Sequence, residues 1–371
     1  MTGPIPSGTP HGAGAASSRA SASPAAVQVL PVTGVPEVGA GDDLVALLAG
    51  ALAPLAPRAG DVLCVSTKII SKAQDLRVAP EQREEAIRAA AVRVVARRLH
   101  TRQVTSVVQI PSGPVMAAAG VDSSNAPAGP LLLPEDPDAC ARELHEGLTA
   151  ALGVPIGVLL TDTSSRIWRM GVTDFALGAA GVAALEDLRG GRDADGRELK
   201  VTVRNLADEL AAAADLVKGK ADAIPAALVR GVPGATAADV PARELSRTGE
   251  DDWFRRPSLE SVWQALGIAE QDEPVARMSP EPATERIGRA LAVAALPRQG
   301  TSPLGAHVRS LTHRGEITGI EVQPADESRR ALAAAAVMVE RIRTALGAES
   351  LGQPLPEIPV HLLDPIPEEN R

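Results

Sequence analysis

The chain has 371 residues, a formal net charge of −9 and 45% hydrophobic residues, which is enough apolar material for a sizeable core. The acidic balance argues against broad nucleic-acid binding, because neutralising phosphates requires a basic face. Aromatic residues make up only 1% and the sequence has no tyrosine, so stacking platforms for single-stranded nucleic acid are not expected either.

The N-terminus and the cysteines bear on location. Residues 1–28 are rich in Gly, Ser, Pro and Ala and lack the basic start and long apolar core of a secretory signal, so we predict a disordered tail. No apolar run reaches the ~18 residues of a membrane span. The two cysteines, Cys64 and Cys140, lie too far apart in the sequence to match a known metal-binding motif. Their even number leaves a disulfide open, but the apolar run VLCV favours a buried free thiol at Cys64. We expect a cytoplasmic protein with no membrane contact.

Strand and helix patterns then alternate along the chain. Apolar spacing predicts helices over GDDLVALLAGALAPL, EQREEAIRAAAVRVVARRL, DPDACARELHEGLTAALG and LADELAAAADLVKG. Strand patterns are VQVLPV, DVLCVS, VTSVVQI, PVMAAAG, VPIGVLL and AIPAALVRGV. Interleaved strands and helices from about 29 to 232 predict an α/β domain, without predicting its strand order.

The pattern loosens after Gly231. A helical stretch over 253–266 precedes a Pro/Glu-rich linker at about 268–283, and further helices are predicted near 283–296 and 327–347. This segment has no cluster of catalytic residue types, so we interpret it as a packing or dimerisation appendage.

Three of the predicted strands end in polar clusters. In α/β sheets ligands gather outside the carboxyl ends of strands, so these clusters are expected to converge on one site. Carboxylate, hydroxyl and amide oxygens suit Mg²⁺ or Mn²⁺ rather than zinc, and neighbouring lysines suit a polyphosphate. The clusters are Ser66, Thr67, Lys68, Ser71 and Lys72; Asp122, Ser123, Ser124 and Asn125; and Asp162 and Thr163.

Each cluster also has a structural interpretation. Asp and Asn in VDSSN are common turn formers, and Lys68 and Lys72 fit a solvated helix face. The sequence has no GxxxxGK[ST] loop and no GxGxxG after a strand, which excludes the standard nucleotide loops. The functional interpretation depends on the three clusters occurring together.

Several long motifs resemble the coenzyme F420-0:γ-glutamyl ligase family, including the ligase half of its two-domain actinobacterial members. The resemblance covers about 29–232. In order, the motifs are LPVTGVPEVGAGDDL, GDVLCVSTKIISKA, AAAGVDSSN, LLLPEDPDA, TDTSSRIWRMGVTDFALGAAG, RDADGRELKVT and ADELAAAADLVKGKAD.

The resemblance implies a fold and an activity. It implies an α/β (α+β) mixed-sheet ligase domain over 29–248 and a smaller, mainly helical C-terminal appendage over 249–371. The family joins L-glutamate to coenzyme F420-0, and in some members adds further γ-linked glutamates, while GTP is hydrolysed through an acyl phosphate. Two divalent ions, Mg²⁺ or Mn²⁺, are expected, K⁺ is allowed as a further ion, and a homodimer is expected.

The resemblance also assigns residues. Asp122, Asp162 and Thr163 match the metal ligands, and Asp162 is also expected to act in catalysis. Arg166 and Arg169 are our own candidates for steadying phosphate or substrate carboxylate. The positions matching GTP contacts are Val35, Pro36, Glu37, Val38, Thr67, Lys72, Asn125, Lys218, Gly219 and Lys220.

The chain departs from the family at several positions. Ser165 replaces a glycine, which matters if that backbone needs a positive φ; Ile167, Val172, Gln74 and Asp75 also differ. Two alternatives to the leading hypothesis therefore stay open: a ligase for another carboxylate, and a catalytically weak nucleotide-binding partner protein. The C-terminal segment is too short for the flavin domain of the two-domain relatives, so no FMN is expected.

Overall fold

A computed structural model of the chain describes residues 26–100, 102–124, 126–166, 169–249, 252, 259–277, 280–350 and 354–365. The predicted tail at 1–28 lies outside the described residues except for 26–28. In chain order, the helices and strands are β1 (Gln28–Val32), α1 (Leu44–Leu52), β2 (Val62–Ser66), α2 (Thr67–Ala73), α3 (Arg83–Ala89), β3 (Arg93–His100), β4 (Gln103–Gln109), β5 (Val115–Ala117), α4 (Pro137–Leu152), β6 (Gly157–Ser165), β7 (Val172–Ala180), β8 (Leu185–Asp187), β9 (Val203–Asn205), α5 (Leu206–Lys218), β10 (Ala226–Arg230), α6 (Leu259–Ala265), β11 (Ala276–Arg277), α7 (Ala283–Ala295), β12 (Ala306–His313), β13 (Glu316–Pro324), α8 (Arg329–Ser350) and β14 (Val360–Leu362).

The predicted α/β class is confirmed, and capping residues mark the start of α1 and the end of α4. The Asp43 carboxylate accepts a hydrogen bond from the Ala46 amide at 3.0 Å and so begins α1. Helix α4 ends at Leu152, and the next residue, Gly153, has a φ of +71°, the left-handed conformation that glycine adopts without strain. None of the described helices is both long and apolar enough to cross a bilayer.

The central sheet is mixed, with strand order β1-β10-β2-β6-β7. Strands β2 and β6 are parallel, with Ser66 opposite Thr161, so their carboxyl ends share one edge. Strand β10 runs antiparallel to both β1 and β2. The chain therefore leaves β1, β2 and β6 and enters β10 at the same edge of the sheet, which we call the C-terminal edge.

Helices cover both faces of this sheet. On β2, Leu63 and Val65 belong to the core shared with α1 and α4, whereas Val62 and Cys64 belong to the core shared with α5. This alternation is what a strand buried on both faces requires. Cys64 is a buried free thiol, as predicted, and burial raises its pKa to about 12.

A second sheet has the order β11-β3-β4-β5. The prediction of one long helix over EQREEAIRAAAVRVVARRL is wrong, because α3 ends at Ala89 and β3 begins at Arg93. Strand β3 forms an antiparallel ladder with β4, and Val94 packs against a cluster around Val108 and Met116. Cross-strand pairing and packing thus override the helical spacing of this segment.

The C-terminal segment has its own apolar core. Helices α7 and α8 match the predicted helices, and α6 is the described part of the helix predicted over 253–266, whose first six residues lie outside the described residues. The sheet β12-β13-β14 was not predicted; it packs on α8 through Ile320 and Val322. Strand β11 pairs in parallel with β3, which attaches this segment to the second sheet.

Candidate active site

A cavity of about 530 Å³ opens at the C-terminal edge of the central sheet. Six stretches of chain line it: the turn after β1, helix α2 with the end of β2, strand β5 with the segment after it, the end of β6, the start of β7, and the end of α5 with the loop that follows it. Its polar lining residues are Glu37, Ser66, Lys68, Lys72, Asp122, Ser124, Asp162, Thr163, Ser164, Ser165, Asp174, Asp215, Lys218 and Lys220. The carboxylates and lysines that carry the predicted chemistry therefore face one space.

Asp122 is held in a tight network. Its backbone pairs with Leu131 in both directions, at 3.1 and 2.8 Å, and its carboxylate contacts the Lys68 ammonium at 2.7 Å. The Ser124 amide and hydroxyl donate to the two carboxylate oxygens at 2.7 and 2.8 Å. Desolvation works to raise the pKa of Asp122, but these hydrogen bonds outweigh it and the pKa is lowered. Asp122 is therefore ionised at neutral pH.

Asp162 has the opposite electrostatic setting. Loss of solvation raises its pKa to about 7, and the negative charges of Asp122 and Asp174 add to the increase. The proximity of these carboxylates makes a bound cation favourable, because a cation would remove the repulsion that now favours a proton on Asp162.

Thr163 stands between a carboxylate and an ammonium group. Its hydroxyl donates to Asp174 at 2.7 Å and accepts from Lys220. Asp174 also accepts from Thr161 at 3.0 Å and from the buried Lys218 ammonium. Desolvation would raise the pKa of Asp174, but Lys218 and the hydroxyl donors lower it instead.

The donor set fits a hard divalent cation. Asp122, Asp162 and Thr163 supply carboxylate and hydroxyl oxygens, the ligands that Mg²⁺ and Mn²⁺ prefer. Positive groups already contact two of the three, since Lys68 pairs with Asp122 and Lys220 with Thr163. Within the described part of the chain, no three His, Cys, Asp or Glu side chains form a metal-binding group. A cation here would therefore be bound by hydroxyl oxygens and by oxygens of a bound substrate as well as by the carboxylates.

The structure brings most of the predicted residues together. Besides the three oxygen donors above, the cavity lining includes Pro36, Glu37, Val38, Lys72, Lys218, Gly219 and Lys220. Two of these cations are already paired: Lys72 donates to Glu37, and Lys218 to Asp174 and Thr161.

Other predicted residues lie off the cavity wall. Val35 packs against the core, and Thr67 is fully buried with its hydroxyl donating to the Thr161 carbonyl at 3.1 Å. Arg166 and Arg169 are exposed to solvent and do not line the cavity. Asn125 lies outside the described residues.

Two departures from the family pattern have distinct backbone settings. Ser165 ends strand β6 and is not among the residues with positive φ, so the loss of glycine there causes no strain. Asp75, by contrast, has a φ of +52°, the conformation that glycine adopts most easily and that Asp tolerates better than most residues.

Asp174 is a charged residue of the cavity wall that is absent from the predicted site residues. Its only signal in the sequence is the repeated Thr-Asp pair, at 161–162 and again at 173–174. The register of β6 and β7 places Asp174 opposite Thr163, and that register is not readable from the sequence.

Comparisons with known proteins identify the family of the chain. The family model described as F420-0:Gamma-glutamyl ligase matches residues 34–231, more than half of the chain. A protein of Methanopyrus kandleri named coenzyme F420:L-glutamate ligase is 40% identical over 251 residues, covering 62% of this chain and 98% of that protein. Proteins of the same name from Archaeoglobus fulgidus and Haloarcula marismortui are each 38% identical, with 97% of their lengths covered and 62% and 65% of this chain. The chain belongs to the F420-0:gamma-glutamyl ligase family.

Proposed function

We propose that this protein is a GTP-dependent ligase that forms an amide bond between L-glutamate and coenzyme F420-0. The observation that carries the proposal is the cavity at the C-terminal edge, where oxygen donors for a cation face several lysines. The names of the relatives supply the substrates, and this chain covers nearly all of their length. GTP and the acyl phosphate are what the family resemblance implies, and a cavity with oxygen donors and lysines suits a polyphosphate with a divalent cation.

A carboxylate is a poor electrophile, so amide formation needs activation. In the proposed first step, a carboxylate oxygen of F420-0 attacks the γ-phosphorus of GTP, and the bond to the GDP oxygen breaks. The product is an acyl phosphate. The amine of L-glutamate then attacks the acyl carbon, phosphate leaves with the electron pair of the C–O bond, and the amine loses a proton.

The lining residues suit these steps. Asp122, Asp162 and Thr163 would hold Mg²⁺ or Mn²⁺, which when bound neutralises charge on the phosphates. Lys220 is the most exposed of the cavity lysines, with 63% of its side chain accessible, and is available to a phosphate oxygen. Lys72 contacts the exposed carboxylate of Glu37, so a phosphate could displace that partner. All three proposed substrates are anionic, and these cations offset the protein's net negative charge locally.

Purified protein incubated with F420-0, GTP, L-glutamate and Mn²⁺ tests the proposal. The expected result is F420 carrying one or more added glutamyl residues, detected by mass spectrometry, with one GDP and one phosphate released per bond. Product that forms equally well without GTP would contradict the nucleotide assignment. GTP and Mn²⁺ binding without product would instead favour a nucleotide-binding partner protein.

A further inference from the structure

A buried polar network forms part of the cavity wall beside the proposed cation site. Asp174 on β7 is 4% exposed, and its carboxylate accepts hydrogen bonds from three side chains. Thr161 and Lys218 donate to Oδ2, whereas Thr163 donates to Oδ1. Lys218 is equally buried, with 4% of its surface exposed.

We propose that Asp174 is a positioning residue that orients the Thr163 hydroxyl as a cation ligand. This inference rests on the cation site of the proposed function. A hydroxyl has one hydrogen and two lone pairs. Because Thr163 donates its hydrogen to Asp174 at 2.7 Å, its lone pairs are directed to other partners.

The contact with Lys220 supports this assignment. The Lys220 ammonium donates to the same Thr163 oxygen, so the lone pairs already face a positive group from the cavity side. Without an acceptor at Asp174, the hydroxyl could rotate and direct its hydrogen toward a cation instead. Residues that orient metal ligands in this way typically change metal affinity about 10–100-fold when they are substituted.

The role of Lys218 follows from the same network. A buried carboxylate is stable only when its charge is compensated and its oxygens are hydrogen-bonded. Lys218 supplies that charge, and Thr161 supplies a further donor to the same oxygen. The Lys218–Asp174 ion pair therefore fixes the position of the carboxylate that accepts from Thr163. This contact gives Lys218 a structural role besides the nucleotide contact that was predicted for it.

A double-mutant cycle between Asp174→Asn and Thr163→Val tests the proposal. The readout is the dissociation constant for Mn²⁺ alone, measured by electron paramagnetic resonance. Asn has one acceptor oxygen for three donors, so D174N is expected to weaken Mn²⁺ binding at least about tenfold. In the T163V background, where no hydroxyl is present to orient, the same substitution is expected to change affinity less than about twofold.

Two controls separate orientation from a loss of folding. Asp138 on α4 is a buried carboxylate that accepts a hydrogen bond at 2.9 Å from the amide of Ala179, which lies on β7 like Asp174. The D138N variant is expected to keep a Mn²⁺ affinity within about twofold of the wild type. If D174N does not fold, the pair D174L and K218M removes both buried charges together and leaves neither unpaired. That double variant is expected to show the same loss of Mn²⁺ affinity.

The outcomes are distinguishable. Wild-type affinity in folded D174N, or in the D174L/K218M pair, overturns the positioning role and leaves the cation site standing. An equal loss with and without the T163V substitution overturns it as well, because Asp174 would then act on the cation directly. A wild-type protein that binds no Mn²⁺ overturns both the positioning role and the proposed cation site.

Discussion

The junction between the second sheet and the C-terminal segment contains two buried carboxyl groups. Glu260 on α6 is 1% exposed and Glu273 is 6% exposed. Glu260 accepts from the Arg97 amide and from the Arg98 guanidinium of β3, but one oxygen of each glutamate has no hydrogen-bond partner among the described residues. Burial raises the pKa of Glu273 from its ordinary 4.5 to about 7; the charges of Glu260 and Glu270 add to this, and Arg97 opposes it.

This pKa makes the junction sensitive to pH. The folded protein keeps the Glu273 proton up to about pH 7, whereas the unfolded chain releases it near pH 4.5. The free energy of unfolding therefore falls as pH rises between these values and levels off above them. Each unit by which the folded and unfolded pKa values of Glu273 differ corresponds to about 1.4 kcal/mol. Ionised Glu273 therefore lowers the free energy of unfolding by about 3 kcal/mol at pH 8.

Glu273→Gln should remove this cost, because glutamine resembles the protonated acid in shape and is uncharged. At pH 8 the variant should melt several degrees above the wild type, since 1 kcal/mol corresponds to about 2–4 °C in a domain of 150–250 residues. At pH 5 the two proteins should melt within about 1 °C of each other. Differential scanning calorimetry at both pH values provides the measurement.

The exposed neighbour Glu270 provides the matched control, and Glu270→Gln should change the melting temperature little at either pH. A Glu273→Gln variant that melts below the wild type at pH 8 would refute the reasoning. So would a difference of the same size at pH 5 and pH 8, because it could not come from ionisation.

Three further predictions concern single residues. Asp162→Asn should abolish GTP turnover with the fold intact, and its melting temperature at pH 8 should be no lower than that of the wild type, because burial raises the pKa of Asp162 and makes its ionised form costly; turnover at the wild-type rate would rule out the metal assignment. Asp75→Gly should raise the free energy of unfolding by up to about 1 kcal/mol in urea titrations, because glycine adopts a φ of +52° without strain; a loss of stability would show that the Asp75 side chain matters more than its backbone. Iodoacetamide at pH 8 should label Cys64 only after unfolding, since its pKa is about 12; rapid labelling of the folded protein would contradict its burial.

Local signals predicted most of the secondary structure. Asp43 and Gly153 mark helix ends because capping depends on residues within one turn. The segment from Arg93 to His100 was predicted wrongly, because its apolar spacing fits a helix and only pairing with β4 makes it a strand. The sheet β12-β13-β14 was missed because it too depends on contacts outside each strand: its strands pair with one another and its apolar residues pack on α8.

The sequence by itself determined the α/β class, the buried strands, and the polar clusters at the ends of β2 and β6. The tertiary structure decided that β10 runs antiparallel to β2 and that β7 pairs with β6 in one register. Those two pairings bring Lys218 and Asp174 to the cavity. The physical reason is that an apolar pattern shows which face of a strand is buried, whereas its partner and direction depend on contacts between residues far apart in the chain.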